Sequence, residues 1–218
     1  MPLFTKHGRT ILFIHIPKTG GSSVTLFFQR NGFAVDWFRS GWFDAAKRKS
    51  SPQHRHREAI VASLREDAIA CEYSFAIVRD PLDRLLSEYF HQCRSEDALS
   101  RRLTAKGFAL WVERVFEMNE DNPVLFDNHI RPQTDFLLDD TVIFRFENGF
   151  RDLARFLHAG EPRYRFGFDF AAFPHWLKGH NRQPVDVPGA TRDRIFRFYE
   201  RDYARFYPGG GPSPAGCR

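Results

Sequence analysis

The chain has 218 residues, 42% of them hydrophobic and 16% aromatic, which is enough for one sizeable core but leaves little room for two full domains. A net charge of +5 favours anionic partners, but basic residues are interspersed with acidic ones, so charge alone does not indicate a nucleic-acid-binding protein. The 24 Phe residues recur along the whole chain at helix and strand spacings and exclude a mostly disordered protein.

The first predicted unit is a strand, a tight loop and a helix. Residues 11–16 are mostly apolar and rich in β-branched side chains, which is typical of a strand buried on both faces. Pro17 and a glycine pair end the strand, and Ser22 or Ser23 can cap a helix that continues through residue 28. This order places a loop at the carboxyl end of a strand.

A second unit of the same kind follows. Residues 33–38 predict a further strand, residues 40–53 a polar, basic loop and residues 58–65 a helix. Residues 73–79 are again apolar, and Pro81 opens a helix whose apolar residues lie on one face. The order strand, turn, helix is therefore repeated.

Strands and helices continue to alternate towards the end of the chain. The spacing predicts helices over residues 108–116, 150–157 and 191–206 and a strand over residues 141–146. The alternation predicts a three-layer α/β fold, in which helices flank a central, mostly parallel sheet and ligands bind at the carboxyl ends of the strands. We expect one domain over residues 1–208 and a flexible tail over residues 209–218.

The loop after the first strand carries the residue types of an anion site. Gly20 and Gly21 let backbone N–H groups close on an anion at the positive end of the next helix, and Lys18 adds a charge. Because the lysine precedes the glycine pair, the loop does not fit the Walker pattern of ATP–Mg sites. A plain glycine turn with a solvated lysine is the alternative, which the strand–loop–helix context disfavours.

Residues 13–23, FIHIPKTGGSS, resemble the 5′-phosphosulfate loop of carbohydrate sulfotransferases that use 3′-phosphoadenosine-5′-phosphosulfate (PAPS). They are most similar to sulfotransferase family 2, which includes the heparan and dermatan 2-O-sulfotransferases and their soluble bacterial relatives. The resemblance extends over residues 9–208 and implies a P-loop-like fold and a bacterial protein. It also implies that seven residues bind the 5′ side of PAPS: Pro17, Lys18, Thr19, Gly20, Gly21, Ser22 and Ser23.

A second segment, residues 75–89, resembles the 3′-phosphate element of the same family, with Arg79 and Ser87 at the matching positions. Arg79 would end a strand and Ser87 would lie two turns into the following helix, from where both can reach one phosphate. A surface ion pair of Arg79 with Asp83 or Glu88 is the alternative. Because the chain also contains the first anion-binding loop, we favour the phosphate site over the ion pair.

Neighbouring residues are interpreted structurally, with one exception. Arg84 is expected to pair with a nearby carboxylate, and Asp80 to cap the helix that begins at Pro81. Glu147 and Asn148 are explained as caps of the helix over residues 150–157. The exception is Lys178, which lies where relatives place a loop over the nucleotide and is a candidate second phosphate ligand.

His54 and His56 flank Arg55 between the two phosphate motifs, and histidine is the side chain best suited to accept a proton near neutral pH. The 2-O-sulfotransferases that the chain resembles carry a His-x-His at a similar place, with a histidine as the base on the acceptor hydroxyl. A surface histidine without a role is the alternative. Spacing from Arg79 favours His56, whereas spacing from the next helix favours His54; we favour His56 and retain both.

A third segment, residues 129–137, resembles a part of the family that lies close to the acceptor or the cofactor. His129, Arg131 and Gln133 are therefore candidates for acceptor binding. A loop capped by Asn128 and stiffened by Pro132 explains the same residues without a ligand.

The cysteines and the N-terminal segment indicate the compartment. Cys71, Cys93 and Cys217 have neither metal-ligand nor disulfide-framework spacing, so we expect free thiols in a reducing, cytoplasmic compartment. The apolar run at residues 11–16 is too short for a signal sequence or a membrane span, so we expect a soluble protein that does not bind membranes.

Together the motifs predict in-line transfer of a sulfuryl group from PAPS to a hydroxyl of a carbohydrate-like acceptor, with release of adenosine 3′,5′-bisphosphate (PAP) and without a metal ion. The alternative enzyme is a nucleotide or small-molecule kinase, in which Asp80 and Glu147 would hold Mg²⁺. A nucleic-acid-binding module is disfavoured because the aromatic residues fall at core spacings.

Overall fold

The computed structural model describes residues 1–37, 49–93, 104–159, 167–169 and 185–209. Lys178, Cys217 and residues 210–218 of the predicted tail lie outside these ranges, and the division into one domain and a tail stays a prediction. The strands are β1 (Leu3–Lys6), β2 (Arg9–Ile14), β3 (Ala34–Asp36), β4 (Tyr73–Val78) and β5 (Val142–Arg145). The main helices are α1 (Gly21–Arg30), α2 (Arg57–Glu66), α3 (Pro81–Cys93), α4 (Ala105–Asp121), α5 (Arg151–Ala159), α6 (Gly189–Phe198) and α7 (Glu200–Phe206).

The five strands form one sheet in the order β3-β1-β2-β4-β5. β2, β4 and β5 are parallel neighbours, with Phe75 opposite Phe13 on one side and Val142 on the other. β1 pairs antiparallel with both β2 and β3, so four strands point one way and β1 the other. The predicted α/β fold with flanking helices is confirmed, but the sheet is mixed because β1, which the sequence did not predict, lies between β3 and β2.

The sheet is covered by helices on both faces. On one face, Phe13 lies in an apolar cluster with Phe28 of α1 and Leu153 of α5. On the other face, Ile14 packs in a cluster with Ile60 of α2. Alternate residues of β2 therefore face two different cores, which explains why this strand is apolar throughout its buried part. A third apolar cluster joins α3, α4 and α6.

Most predicted elements are formed, with shifted ends. The strand predicted over residues 11–16 ends at Ile14, because Ile16 and Pro17 already belong to the loop. The strand predicted over residues 33–38 is limited to β3 among the described residues. The single helix predicted over residues 191–206 is broken at Tyr199 (φ −104°, ψ 25°) into α6 and α7.

Two expectations about the compartment are addressed by the described residues. Cys71 is a free thiol, as predicted, and burial raises its pKa to about 11. None of the helices in the described ranges has the length and hydrophobicity needed to cross a lipid bilayer.

Candidate active site

The carboxyl ends of β2 and β4 bring the two predicted phosphate motifs together. β2 leads into the loop that contains Lys18, and β4 leads through Arg79 into α3. Arg79 Nη1 donates to the backbone carbonyl of Lys18 at 3.3 Å, so the two motifs are in direct contact. Neighbouring parallel strands place their following loops at one edge of the sheet, and this is the edge where α/β proteins bind ligands.

The loop after β2 has a left-handed backbone and a set of unused donors. Lys18 has φ 68° and Gly20 has φ 88°. The buried Thr19 hydroxyl donates to the Ile16 carbonyl at 2.8 Å, so this hydroxyl stabilises the loop. Four backbone N–H groups have no acceptor among the described residues: those of Thr19, Gly20, Gly21 and Ser22. These donors, at the N-terminus of α1 and beside Lys18, fit an anionic group.

Gly21 is required by the ring of His15. A Cβ atom at position 21 would lie 2.1 Å from both Cδ2 and Nε2 of that imidazole. His15 is buried and stacks on Phe13 with ring centroids 5.4 Å apart, which leaves the ring little room to move. One glycine of the pair thus serves packing as well as loop geometry.

We expect Gly21→Ala to lower the free energy of unfolding by roughly 1–3 kcal/mol, because an added methyl group in a closed site forces side chains or backbone to shift. Urea unfolding followed by circular dichroism measures the change. Gly189→Ala is the matched control at the first residue of α6, where a Cβ meets no atom within 4 Å, and stability should stay the same or rise slightly. Equal losses in the two variants would show that His15 does not constrain position 21.

Arg79 is positioned by a buried glutamine. The Gln133 side chain accepts from the backbone N–H of Arg79 at 2.9 Å and donates to its carbonyl at 2.8 Å. Asp202 in turn accepts from the backbone N–H of Gln133 at 2.8 Å. The guanidinium carbon of Arg79 lies 4.7 Å from the centre of the Phe146 ring. Because Gln133 is fully buried and its amide is used by the backbone of Arg79, we reassign it from acceptor binding to the placement of Arg79.

Arg84 has the predicted structural role but different partners. Its guanidinium is buried and donates to three backbone carbonyls rather than to a carboxylate: those of Pro17, His129 and Arg131. These bonds tie the loop after β2 to the segment that follows α4. Arg84 therefore holds two parts of the site together from beneath.

Asp80 and Glu147 also have structural roles. Asp80 caps α3, as predicted, by accepting from the backbone N–H of Asp83 at 3.0 Å. Glu147 accepts from the backbone N–H of Asp80 at 2.7 Å and so does not cap the next helix as predicted. Asn148 donates instead to the Asp152 side chain in the first turn of α5, at 2.6 Å.

A buried carboxylate joins Lys18 to a histidine. Glu88 follows Ser87 on α3, and its Oε2 lies 3.8 Å from Lys18 Nζ and 2.7 Å from His129 Nδ1. Burial alone would raise the pKa of Glu88, but the hydrogen bond and charge of His129, together with Lys18, lower it to about 2. Glu88 is therefore ionised near neutral pH and only accepts, so the hydrogen between the two groups is carried by Nδ1 of His129.

A second carboxylate holds His54 in the same way. Asp127 Oδ2 lies 2.7 Å from His54 Nδ1, and Ser51 donates its N–H and its hydroxyl to the same carboxylate at 2.6 Å each. Burial lowers the pKa of His54 to about 4 against the raising effect of Asp127, so the ring is neutral near pH 7. Its ring meets those of His129 and His15 edge-on, with centroids 5.0 and 4.9 Å apart. We call His15, His54 and His129 the histidine cluster.

His56 lies apart from the histidine cluster. It precedes the first residue of α2, and its Nε2 lies 3.5 Å from Glu58 Oε2. Within the described ranges its ring makes no contact with the rings of His54 or His129. Of the two histidines in the His-x-His motif, the structure brings only His54 next to the residues that reach Lys18.

The third predicted segment supplies one residue to the site. His129 belongs to the histidine cluster, and Gln133 lies beneath Arg79. Arg131 donates from Nε to Asn128 Oδ1 at 2.9 Å and lies 3.7 Å from Asp135 Oδ2. The loop interpretation therefore explains Arg131 and Gln133. His129 instead contacts His54 and Glu88, which belong to the candidate site.

The same residues could in principle form a metal site. The potential ligand atoms of His54, Asp127 and His129 lie within 4.8 Å of one another, and transition metals bind imidazole and carboxylate ligands. However, both imidazole Nδ1 atoms are hydrogen bonded to carboxylate oxygens at 2.7 Å. These bonds fix the orientation of both imidazoles through Nδ1 and leave Nε2 of the neutral His54 as an acceptor, which suits proton transfer.

Three members of the site were not predicted from the sequence. His15 interrupts the apolar run at residues 11–16, and Glu88 directly follows Ser87, so each left a usable signal. Asp127 left none, because it lies 73 residues from His54 along the chain and reaches it only through the folded structure.

Comparison with known protein families gives one match. The sequence model of sulfotransferase family 2 matches residues 1–208. This range contains both predicted phosphate motifs and the histidine cluster. No curated protein and no solved structure matches the chain.

Proposed function

The chain belongs to the sulfotransferase family, and from this premise we propose that it transfers a sulfuryl group from PAPS to a hydroxyl of a carbohydrate-like acceptor and releases PAP. Members of this family generally use PAPS as the donor. We extend the proposal to a P-loop-like fold and to a cytoplasmic, bacterial enzyme. The observation that carries it is the bond from Arg79 to the Lys18 carbonyl, which brings the two predicted phosphate motifs into contact and supports a single anion site.

The two motifs divide the donor between them in this proposal. The free N–H groups of the loop after β2, together with Lys18, bind the 5′-phosphosulfate. Arg79 and Ser87, both about nine-tenths buried, select the 3′-phosphate that distinguishes PAPS from ATP. Gln133 supports this selection because it fixes the backbone from which the guanidinium of Arg79 projects.

The chemical step needs charge stabilisation on one side and a base on the other. PAPS supplies the activated sulfuryl group. Lys18 offsets the negative charge that grows on the bridging oxygen as the S–O bond breaks. We assign the base to His54 instead of His56, because His54 is neutral, has Nε2 as an acceptor and lies in the cluster that reaches Lys18 through His129 and Glu88.

The kinase alternative loses support from the contacts of its two candidate metal ligands. Asp80 Oδ1 accepts from the backbone N–H of Asp83, and the two oxygens of Glu147 accept from Asp80 N–H and from the Tyr207 hydroxyl.

A nucleic-acid-binding module is also disfavoured, because the described surface lacks exposed aromatic side chains on which bases could stack. Within the described ranges, the exposed large apolar side chains are Leu110 and Met118, and neither can serve as an aromatic stacking platform.

We expect PAP to bind far more tightly than adenosine 5′-phosphate, which lacks the 3′-phosphate, and Arg79→Ala and Ser87→Ala each to reduce this preference by roughly tenfold or more. Isothermal titration calorimetry with the two nucleotides measures the ratio of affinities, and a titration with ATP–Mg tests the kinase alternative. Arg114→Ala, on the exposed side of α4, is the control and should keep the wild-type ratio.

Three outcomes of this experiment would contradict the proposal in different ways. Unchanged ratios in both variants would assign Arg79 and Ser87 to structure alone. Equal wild-type affinity for the two nucleotides would remove PAPS as the donor. Stronger binding of ATP–Mg than of PAP would favour the kinase. Transfer of labelled sulfate from PAPS to a panel of glycans and metabolites then identifies the acceptor.

A further inference from the structure

We propose that Asp127 is a positioning residue that fixes the ring tautomer of His54, so that Nε2 presents the lone pair that takes the proton of the acceptor hydroxyl. The catalytic consequence rests on the proposed function. The tautomer itself does not, since it follows from the contacts of the folded chain.

The contacts of the Asp127 carboxylate determine where the hydrogen lies. Ser51 donates twice to this carboxylate, from its N–H to Oδ1 and from its hydroxyl to Oδ2. The remaining contact is with His54 Nδ1 at 2.7 Å from Oδ2. An ionised carboxylate is an acceptor only, so the hydrogen between Oδ2 and Nδ1 belongs to the imidazole. His54 then has no hydrogen on Nε2 while it is neutral.

The ionised state of Asp127 is supported by the same neighbours. Burial alone would raise the pKa of Asp127, but the hydrogen bonds from His54 and Ser51 outweigh burial and lower it. The carboxylate side chain is 13% exposed and that of His54 is 8% exposed, so little water competes for this hydrogen bond. A short bond in a largely dry setting holds the ring orientation as well as the tautomer.

The backbone that carries Asp127 is strained. Phe126 (φ 49°, ψ 44°), Asp127 (φ 59°, ψ 45°) and Asn128 (φ 66°) are three consecutive non-glycine residues with left-handed φ. Each such residue costs about 1 kcal/mol or more, and strain of this kind persists where the surroundings over-determine it, often at functional sites.

The strained turn delivers two successive side chains to one histidine. Asp127 binds the ring of His54, and Asn128, which is fully buried, donates from Nδ2 to the His54 carbonyl at 2.7 Å. Arg131 donates to Asn128 Oδ1 at 2.9 Å, so both the nitrogen and the oxygen of that amide are hydrogen bonded. The ring and the backbone of His54 are therefore both held by residues 127 and 128.

Asp127→Asn separates positioning from mere structural support. An asparagine has the same shape and can still accept the Ser51 N–H through Oδ1. Its amide NH₂, however, would point at His54 Nδ1 and would be satisfied only if Nδ1 is the acceptor. The hydrogen of His54 would then move to Nε2, where it blocks proton abstraction from the acceptor.

The experiment measures the tautomer directly by NMR of protein labelled with ¹⁵N-histidine, with the His54 signals assigned by their loss in His54→Gln. We expect the wild type to carry hydrogen on Nδ1, and Asp127→Asn to carry it on Nε2. Turnover of Asp127→Asn should fall by roughly a hundredfold or more, with PAP affinity near wild type. Asp139→Asn, an exposed carboxylate paired with Arg57, is the matched control and should change neither the tautomer nor turnover.

The outcomes separate this inference from the proposed function. A wild-type His54 with hydrogen on Nε2 would overturn the inference even if Asp127→Asn failed to fold. An Asp127→Asn protein that keeps the wild-type tautomer and turnover would also overturn it. A reversed tautomer with unchanged turnover would uphold the positioning by Asp127 and remove His54 as the base. A wild type that binds PAP but transfers no sulfate to any acceptor would count against the proposed function and leave the tautomer result standing.

Discussion

Lys18→Ala is expected to reduce turnover at saturating PAPS by roughly 10²–10³-fold or more, because the substitution removes the charge that opposes negative charge growing in the transition state. PAP affinity should fall less, since the backbone N–H groups of the loop remain. The fold should survive, because Glu88 keeps His129 and Gln92 as hydrogen-bond partners after the ammonium is lost.

Initial rates with labelled PAPS, together with PAP binding by calorimetry, provide the test of Lys18. Lys106→Ala is the matched control, because Lys106 is exposed in the first turn of α4, and it should retain wild-type turnover. Wild-type turnover in Lys18→Ala would show that the loop after β2 does not hold the phosphosulfate. A loss of PAP binding as large as the loss of turnover would assign Lys18 to donor binding instead of to the chemical step.

His54→Ala should lower turnover by roughly a hundredfold or more and leave PAP affinity near wild type, because a base acts on the acceptor and not on the nucleotide. His56→Ala should have a much smaller effect, since His56 contacts Glu58 at the start of α2 and lies outside the histidine cluster. The pair of variants thus serves as its own control. If both single variants and the double variant turned over normally, the base would lie elsewhere, and His129 would be the next residue to substitute.

The pH dependence of turnover gives a second measurement of the same base. Only the neutral imidazole can accept a proton, and the pKa of His54 in the fold is about 4. Turnover should therefore be flat from neutral pH down to about pH 5 and should fall as the pH drops through about 4, below the range expected of an unperturbed histidine. An acid limb near pH 6.5 would identify a more exposed histidine as the base.

Folding must be monitored in the same pH series, because the same shift affects stability. The pKa of His54 is lower in the folded than in the unfolded chain, so the unfolded state binds more protons between pH 6.5 and pH 4. The contribution of this group to stability is therefore lost as the pH falls through that window. Circular dichroism at each pH separates loss of the base from loss of the fold.

The sequence by itself determined the parts of this protein that depend on local patterns. An apolar run followed by Pro17 and two glycines is a local pattern that is sufficient to predict a buried strand and a tight loop. The same is true of the strand before Arg79 and of the helix that Pro81 opens and Asp80 caps. Since parallel strands present their carboxyl ends at one edge, the proximity of Lys18 and Arg79 also followed from the order of elements.

Only the tertiary structure decided which histidine joins the site and what holds it. Two positions separate His54 from His56 in the sequence, and both fit a loop before a helix, but one ring is packed against His15 and His129 and the other lies beside Glu58. The strand β1 was missed because only two of its four residues are apolar, so its pairing with β2 and β3 supplies what its own pattern lacks.

The carboxylates of Asp127 and Glu88 show most clearly why the contacts of the site could not be predicted from the sequence. Asp127 meets His54 across 73 residues and Glu88 meets His129 across 41, so no spacing in the chain marks either pair. A hydrogen bond requires the donor–acceptor distance to be correct to within a few tenths of an ångström, and that distance is set by the packing of helices and loops around the sheet. Sequence patterns determine which elements form, whereas the contacts that orient the site arise only when those elements pack together.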